Sequence, residues 1–140
     1  MADLPPGPSL GAVLAGLDWS LLSSEDMYEL TGSLARMVSH YQALLVTAMY
    51  DTALTAHEPA GSLKRAAELK DHCADQLAWE LHVSRGYAFS QVLLGEALVR
   101  RLPLVLADFQ AGLIDQARAG VFVDCLSNLD LDTGREIAER

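Results

Sequence analysis

Residues 23–55 read SSEDMYELTGSLARMVSHYQALLVTAMYDTALT, and this stretch decides the fold. Ser23-Ser24-Glu25-Asp26 opens like a helix, with a hydroxyl residue to cap it and acids in the first turn, where the helix dipole favours negative charge. Leu30, Leu34, Met37, Tyr41, Leu44 and Ala48 then recur at alternating steps of four and three. That spacing predicts one continuous apolar stripe on a long helix, running from about residue 24 to 55.

Upstream of it, Leu4-Pro5-Pro6-Gly7-Pro8 ends an extended arm over residues 1–8, because proline fixes φ and lacks an N–H. Ser9 is expected to cap a short helix reaching Leu17, with Leu10, Val13, Leu14 and Leu17 on one stripe. Downstream, a loop is expected over about 56–63, where Pro59 and Gly61 break helix. Lys64 to Lys70 reads equally as a helical extension or a mobile connector. Asp71 can cap a helix from His72 to Leu81, with Cys73, Ala74, Leu77 and Leu81 facing inward. Ser84 caps another, from Arg85 to about Arg101. Pro103 suits a first helical position, and Gly112 suits the residue just past a helix end. Asp115 caps a helix to near Asn128, and Asp132 caps a last one, still in progress at Arg140. No useful strand-like alternation interrupts this pattern. The expectation is one all-α domain over 1–140: a compact multi-helix bundle (about 71–140) with one long N-terminal helix and a helix-turn-helix-like corner.

Composition narrows the function. The chain has 140 residues, 51% of them hydrophobic, enough for a sizeable core, and a formal net charge of -9. Such a charge repels phosphate backbones on average. Cys73 and Cys125 are far apart with no ligand-like spacing, so both are expected to be reduced, buried, structural thiols. The N-terminus lacks the basic region of a secretory signal, and the uncharged run near the apolar middle is too short to span a bilayer. A cytoplasmic location without a membrane partner is expected.

The corner lies in Gln76-Leu77-Ala78-Trp79-Glu80-Leu81-His82-Val83-Ser84. Small Ala78 lets two helices approach, and Ser84 caps the second. In a DNA-binding version the start of the second helix enters the major groove. It would offer Arg85, Tyr87 and Ser90 to bases, with Arg100 and Arg101 near phosphates. From Lys64 to Arg101 there are six bases and five acids, the only part of the chain that is not acidic. A purely structural corner fits as well. His82 stands where glycine usually supplies a positive φ, and Phe89, Val92, Leu93, Leu94, Ala97, Leu98 and Val99 make the second helix apolar nearly all round.

The order of these features resembles a known family. It is carried by Leu4 to Pro8, by Ala35-Arg36 and His40 to Ala43, by Leu77-Ala78 with Leu81 to Ser84, and by Arg101-Leu102-Pro103. Ala111 to Asp115, Ala117-Arg118, Val121 to Asp124, Leu129-Asp130 and Arg135 to Ala138 complete it. In this order the chain is similar to the actinobacterial family called domain of unknown function 222. The resemblance implies an all-α domain that commonly precedes an HNH nuclease domain, with no known activity of its own. A weaker likeness runs to the helix-turn-helix region of ParB-type partition proteins, and it supports DNA binding as analogy alone.

No catalytic constellation is expected within the chain. An HNH site needs histidines that position a metal ion, and His40, His57, His72 and His82 all precede residue 83. His72, Cys73 and Asp75 face different directions around a helix, and Asp124, Asp130 and Asp132 lack EF-hand spacing. No metal and no cofactor are therefore expected. Trp19 and Trp79 read as core or interface anchors. The expected function is a non-catalytic, HNH-endonuclease-associated helical domain that contacts duplex DNA at the corner. Its alternatives are a module that binds itself or a partner protein through the long helix, or a truncated remnant.

Overall fold

The computed structural model describes residues 1–57, 63–65 and 73–127, and among them the fold is all-α. Its helices are α1 (Pro8–Ala15), α2 (Ser24–Leu54), α3 (Cys73–Leu81), α4 (Arg85–Arg100), α5 (Pro103–Gln110) and α6 (Gln116–Leu126), with a 3-10 turn at Trp19–Leu21. Asp71 and Asp132, expected as caps, lie outside the described residues.

Local chemistry sets most boundaries. Ser23 and Asp26 form a reciprocal capping box at the start of α2, each satisfying the other's backbone N–H. Asp115 accepts from the Arg118 N–H at the start of α6. Pro103 takes the first position of α5, where a missing N–H does no harm. Gly112 follows α5 with φ 72°, and the Leu113 N–H returns to the Asp108 carbonyl. A Cβ there would lie 2.8 Å from that of Arg36, so α5 closes directly against α2. The start of α1 corrects the expectation at Ser9: Pro8 is its first residue, and Gly7 precedes it without a side-chain cap.

The expected loop over 56–63 is strand at its edges, and 58–62 lie outside the described residues. Thr55–His57 (β1) pairs antiparallel with Leu63–Arg65 (β2), in the register Thr55 to Arg65 and His57 to Leu63. Thr55 leaves α2 in an extended conformation, φ -92° and ψ 127°, as suits a β-branched residue.

Among the described residues the core forms three clusters. Ala43, Val46, Leu98, Leu102, Val105, Phe109, Ala119 and Leu126 make the first, joining α2, α4, α5 and α6. Met49, Ala53, Cys73, Leu77, Ala88 and Val92 make the second, under α3. Leu10, Leu14 and Leu30 make the third, under α1. All three draw on α2, but not through the whole stripe its spacing suggested. Tyr41, Leu44 and Ala48 are exposed, while Ser33, Ala43, Val46 and Ala53 are buried. The reason is close approach. At Gly95, α4 comes so near α2 that a Cβ would overlap the Val46 carbonyl and lie 2.9 Å from the Tyr50 Cβ. This approach seats α4 over Val46 and Tyr50 of α2, so that face is the buried one and Tyr41, Leu44 and Ala48 stay exposed.

Polar links fix the remaining geometry. The Arg36 guanidinium donates to the Met1 and Ala2 carbonyls and to Ser33 Oγ, holding the N-terminal arm on α2. His40 Nδ1 lies 2.7 Å from the Gln110 carbonyl, which only accepts, so this nitrogen carries the proton. Cys73 is buried as expected, but Cys125 is exposed on α6, a correction to its reading as a buried thiol. Trp19 and Trp79 are exposed as well, so neither anchors the core.

Candidate nucleic-acid interface at the helical corner

α3 buries Cys73, Ala74 and Leu77 against Met49 and Ala53 of α2 and Ala88 and Val92 of α4. Its end is closed by the Val83 N–H, which donates to the Ala78 carbonyl, and by the His82 N–H, which donates to that of Trp79. This closure needs a left-handed residue, and His82 supplies it with φ 54°. Histidine adopts that conformation at a cost glycine avoids. Val83 then packs onto the second cluster, and Ser84 caps α4 by accepting from the Tyr87 N–H. The chain thus turns from α3 into α4 in three residues, pinned on both sides.

The turn presents the first part of α4 to solvent. Arg85, Gly86, Tyr87, Phe89 and Ser90 are all exposed, with buried Ala88 seated against the core between them. Trp79, 82% exposed on α3, stands on the same corner. Arg85 Nε lies 2.8 Å from Asp75 Oδ1, and both side chains remain mostly exposed. The unpaired backbone N–H groups of a helix start, together with the dipole, favour an anion there. Asp75 competes with such an anion for Arg85.

The expected contact residues divide into two groups. Arg85, Tyr87 and Ser90 come together at the start of α4. Arg100 and Arg101 stand fifteen and sixteen residues on, about 22 Å away at 1.5 Å per residue. Arg100 makes an ion pair with Glu96 one turn earlier. Arg101 turns inward and donates to the Leu126 carbonyl at 2.7 Å, joining the end of α4 to the end of α6. Buried Gln91 accepts from Gln116 at 2.8 Å and makes a second link between the same helices.

No protein-family model, curated protein or solved structure matches this chain. Among the described residues no three His, Cys, Asp or Glu side chains gather where a metal ion could be held. No helix among them is long and apolar enough to cross a membrane. Sequence reasoning took Trp79 for a core or interface anchor and Phe89 for part of an apolar helix, and missed that both are exposed on this surface. The signals were there in their helical neighbours, Asp75, Gln76 and Glu80 around Trp79 and Arg85 and Ser90 around Phe89.

Proposed function

We propose that this chain is a non-catalytic, cytoplasmic helical domain that engages duplex DNA through the first turns of α4, as the companion of an HNH-type nuclease domain. The observation that carries the reading is the corner itself. A three-residue turn, locked by left-handed His82 and capped by Ser84, holds Arg85, Tyr87 and Ser90 outward at a helix start. The docking geometry of helix-turn-helix proteins uses such a start to meet base edges in the major groove. The association with a nuclease rests on the ordered likeness from Leu4 to Ala138. Arg100 and Arg101 lie too far along α4 to share one contact with Arg85, and Arg101 already has a structural partner, so the proposed site narrows to Arg85, Tyr87 and Ser90.

The exposed Asp75–Arg85 pair is worth about 0–1 kcal/mol, so a phosphate can displace the carboxylate. Fluorescence anisotropy with a labelled duplex at about 50 mM salt tests the reading. Binding is expected to weaken with rising salt, to weaken in Arg85→Ala and to strengthen in Asp75→Asn. No anisotropy change up to about 100 µM protein, the weak end of non-specific DNA affinity, would refute it.

A further inference from the structure

Seen from solvent, α2 carries a second periodic pattern, of which Leu34 alone packs against a core cluster of the described residues. Met27, Thr31, Leu34, Val38, Tyr41, Leu45, Ala48 and Thr52 follow one another at alternating steps of four and three over the outward side of the helix. Met27, Leu34, Tyr41 and Ala48 are spaced by sevens, as are Thr31, Val38, Leu45 and Thr52. This is the 3.5-residue repeat of a coiled-coil seam, sustained for about 38 Å at 1.5 Å per residue. All of these residues but half-buried Leu34 are exposed. Leu34, Met37, Val38, Tyr41, Gln42 and Leu45 line a groove of about 360 Å³ along it, wide enough to receive side chains from a facing helix.

The seam is also free of charge. Between Glu29 and Asp51 the ionisable groups with charge at or near neutral pH are Arg36 and His40, and each is bonded elsewhere in the fold. In a chain of net charge -9, this is a neutral apolar strip on an acidic molecule. The Thr31 and Thr52 hydroxyls donate to the Met27 and Ala48 carbonyls of their own helix, so neither brings an unmet donor to the seam.

We infer that the outward face of α2 pairs with the same face of a second copy of this chain, the two helices running antiparallel. Size supports a self-complementary contact. Val38, Tyr41 and Leu45 are 56, 51 and 46% exposed. With a whole large side chain presenting on the order of 200 Å², the seam and its flank Leu44 offer roughly 500–700 Å² per copy, close to the ~800 Å² per partner of a stable interface. Charge selects the direction. Parallel pairing would bring Glu25, Asp26 and Glu29 of both copies together at one end, whereas antiparallel pairing separates them and opposes the helix dipoles favourably. A two-fold axis between residues 38 and 41 then sets Val38 against Tyr41, Leu34 against Leu45, and Thr31 against Ala48 of the other copy.

The inference does not rest on DNA binding, and its test uses no DNA. Sedimentation equilibrium at tens of micromolar should give twice the chain mass of 15.1 kDa. Val38→Lys with Leu45→Lys should give the single mass with an unchanged helical circular dichroism spectrum; because both side chains are half exposed, folding survives. In a Cys125→Ser background, mixed Leu34→Cys and Leu45→Cys chains should form the 34–45 disulfide in preference to 34–34. A monomeric wild-type chain at about 100 µM, or a dimer that persists in the double lysine variant, overturns the proposal. A dominant 34–34 crosslink overturns the antiparallel arrangement.

Discussion

Replacing Gly95 by alanine adds one methyl group where α4 crosses α2 in close contact. The new Cβ would sit 2.9 Å from the Tyr50 Cβ and 3.1 Å from the Val46 carbonyl carbon, with the Val46 oxygen nearer still. Two of these three atoms are α2 backbone, so no side-chain rotation relieves the overlap. Either α4 lifts off α2 by a sizeable fraction of an ångström or α2 bends. Overpacking of a close-packed core costs typically 1–3 kcal/mol and occasionally more. A backbone obstacle puts this site at the upper end, about 3–4 kcal/mol. Alanine returns about 1 kcal/mol through its better helix propensity. The net loss is then about 2–3 kcal/mol, or a drop in Tm of roughly 6–10 °C for a chain of this size. Thermal melts followed by circular dichroism measure it. Gly120→Ala in α6, where an added Cβ meets nothing within 4 Å, is the control and should melt at or above the wild-type temperature. A Gly95→Ala protein melting within about 2 °C of wild type, or above it, would show that α2 and α4 do not meet as described.

Two further outcomes follow from named residues. His82→Gly should stabilise the fold by about 0.5–1 kcal/mol in denaturant titrations, because glycine takes a positive φ without the clash of a Cβ. Acid should remove the advantage of the capping box. The Asp26 carboxyl is held below its ordinary value by the Ser23 hydroxyl and then by the Ser23 N–H. The Ser20 hydroxyl and N–H do the same for Asp18, and the Ala2 N–H, then the N-terminal ammonium, for Glu29. A carboxyl depressed in the folded state contributes stability above its unfolded pKa and loses it as pH falls through the folded value. The Tm difference between wild type and Asp26→Asn should therefore be full at neutral pH and shrink below about pH 4.

Where the sequence spelled out an element, it did so through punctuation. Ser23 with Asp26, Ser84, Pro103, Gly112 and Asp115 each satisfy or remove a particular backbone group, and each marks a real boundary. The corner was legible for the same reason, since Ala78, Val83 and Ser84 act locally. The buried face of α2 was legible at its start, in Leu30, Leu34 and Met37, and not beyond. The helix carries two apolar seams offset by only a few positions, and hydrophobicity alone favoured the one with larger residues. What decided between them was Gly95 on another helix, forty-nine residues beyond Val46, which lets α4 seat directly over Val46 and Tyr50. Arg101 misled in a similar way. Its charge suggested phosphate, while in the fold it donates to the Leu126 carbonyl at the end of α6. The β1–β2 ribbon lay below the reach of periodicity, because three residues show no alternation.

The division of the core into three clusters also distributes stability unevenly. α2 lends a wall to each, so its middle can open only when the whole domain does. α3 belongs to the second cluster alone, resting on α2 and α4. Like α1, which belongs to the third cluster alone, it can open at a lower free energy than global unfolding. The helix that braces the corner can thus yield without the other two clusters, and a ligand engaging the start of α4 would be met by a surface able to adjust while the rest of the domain stays intact.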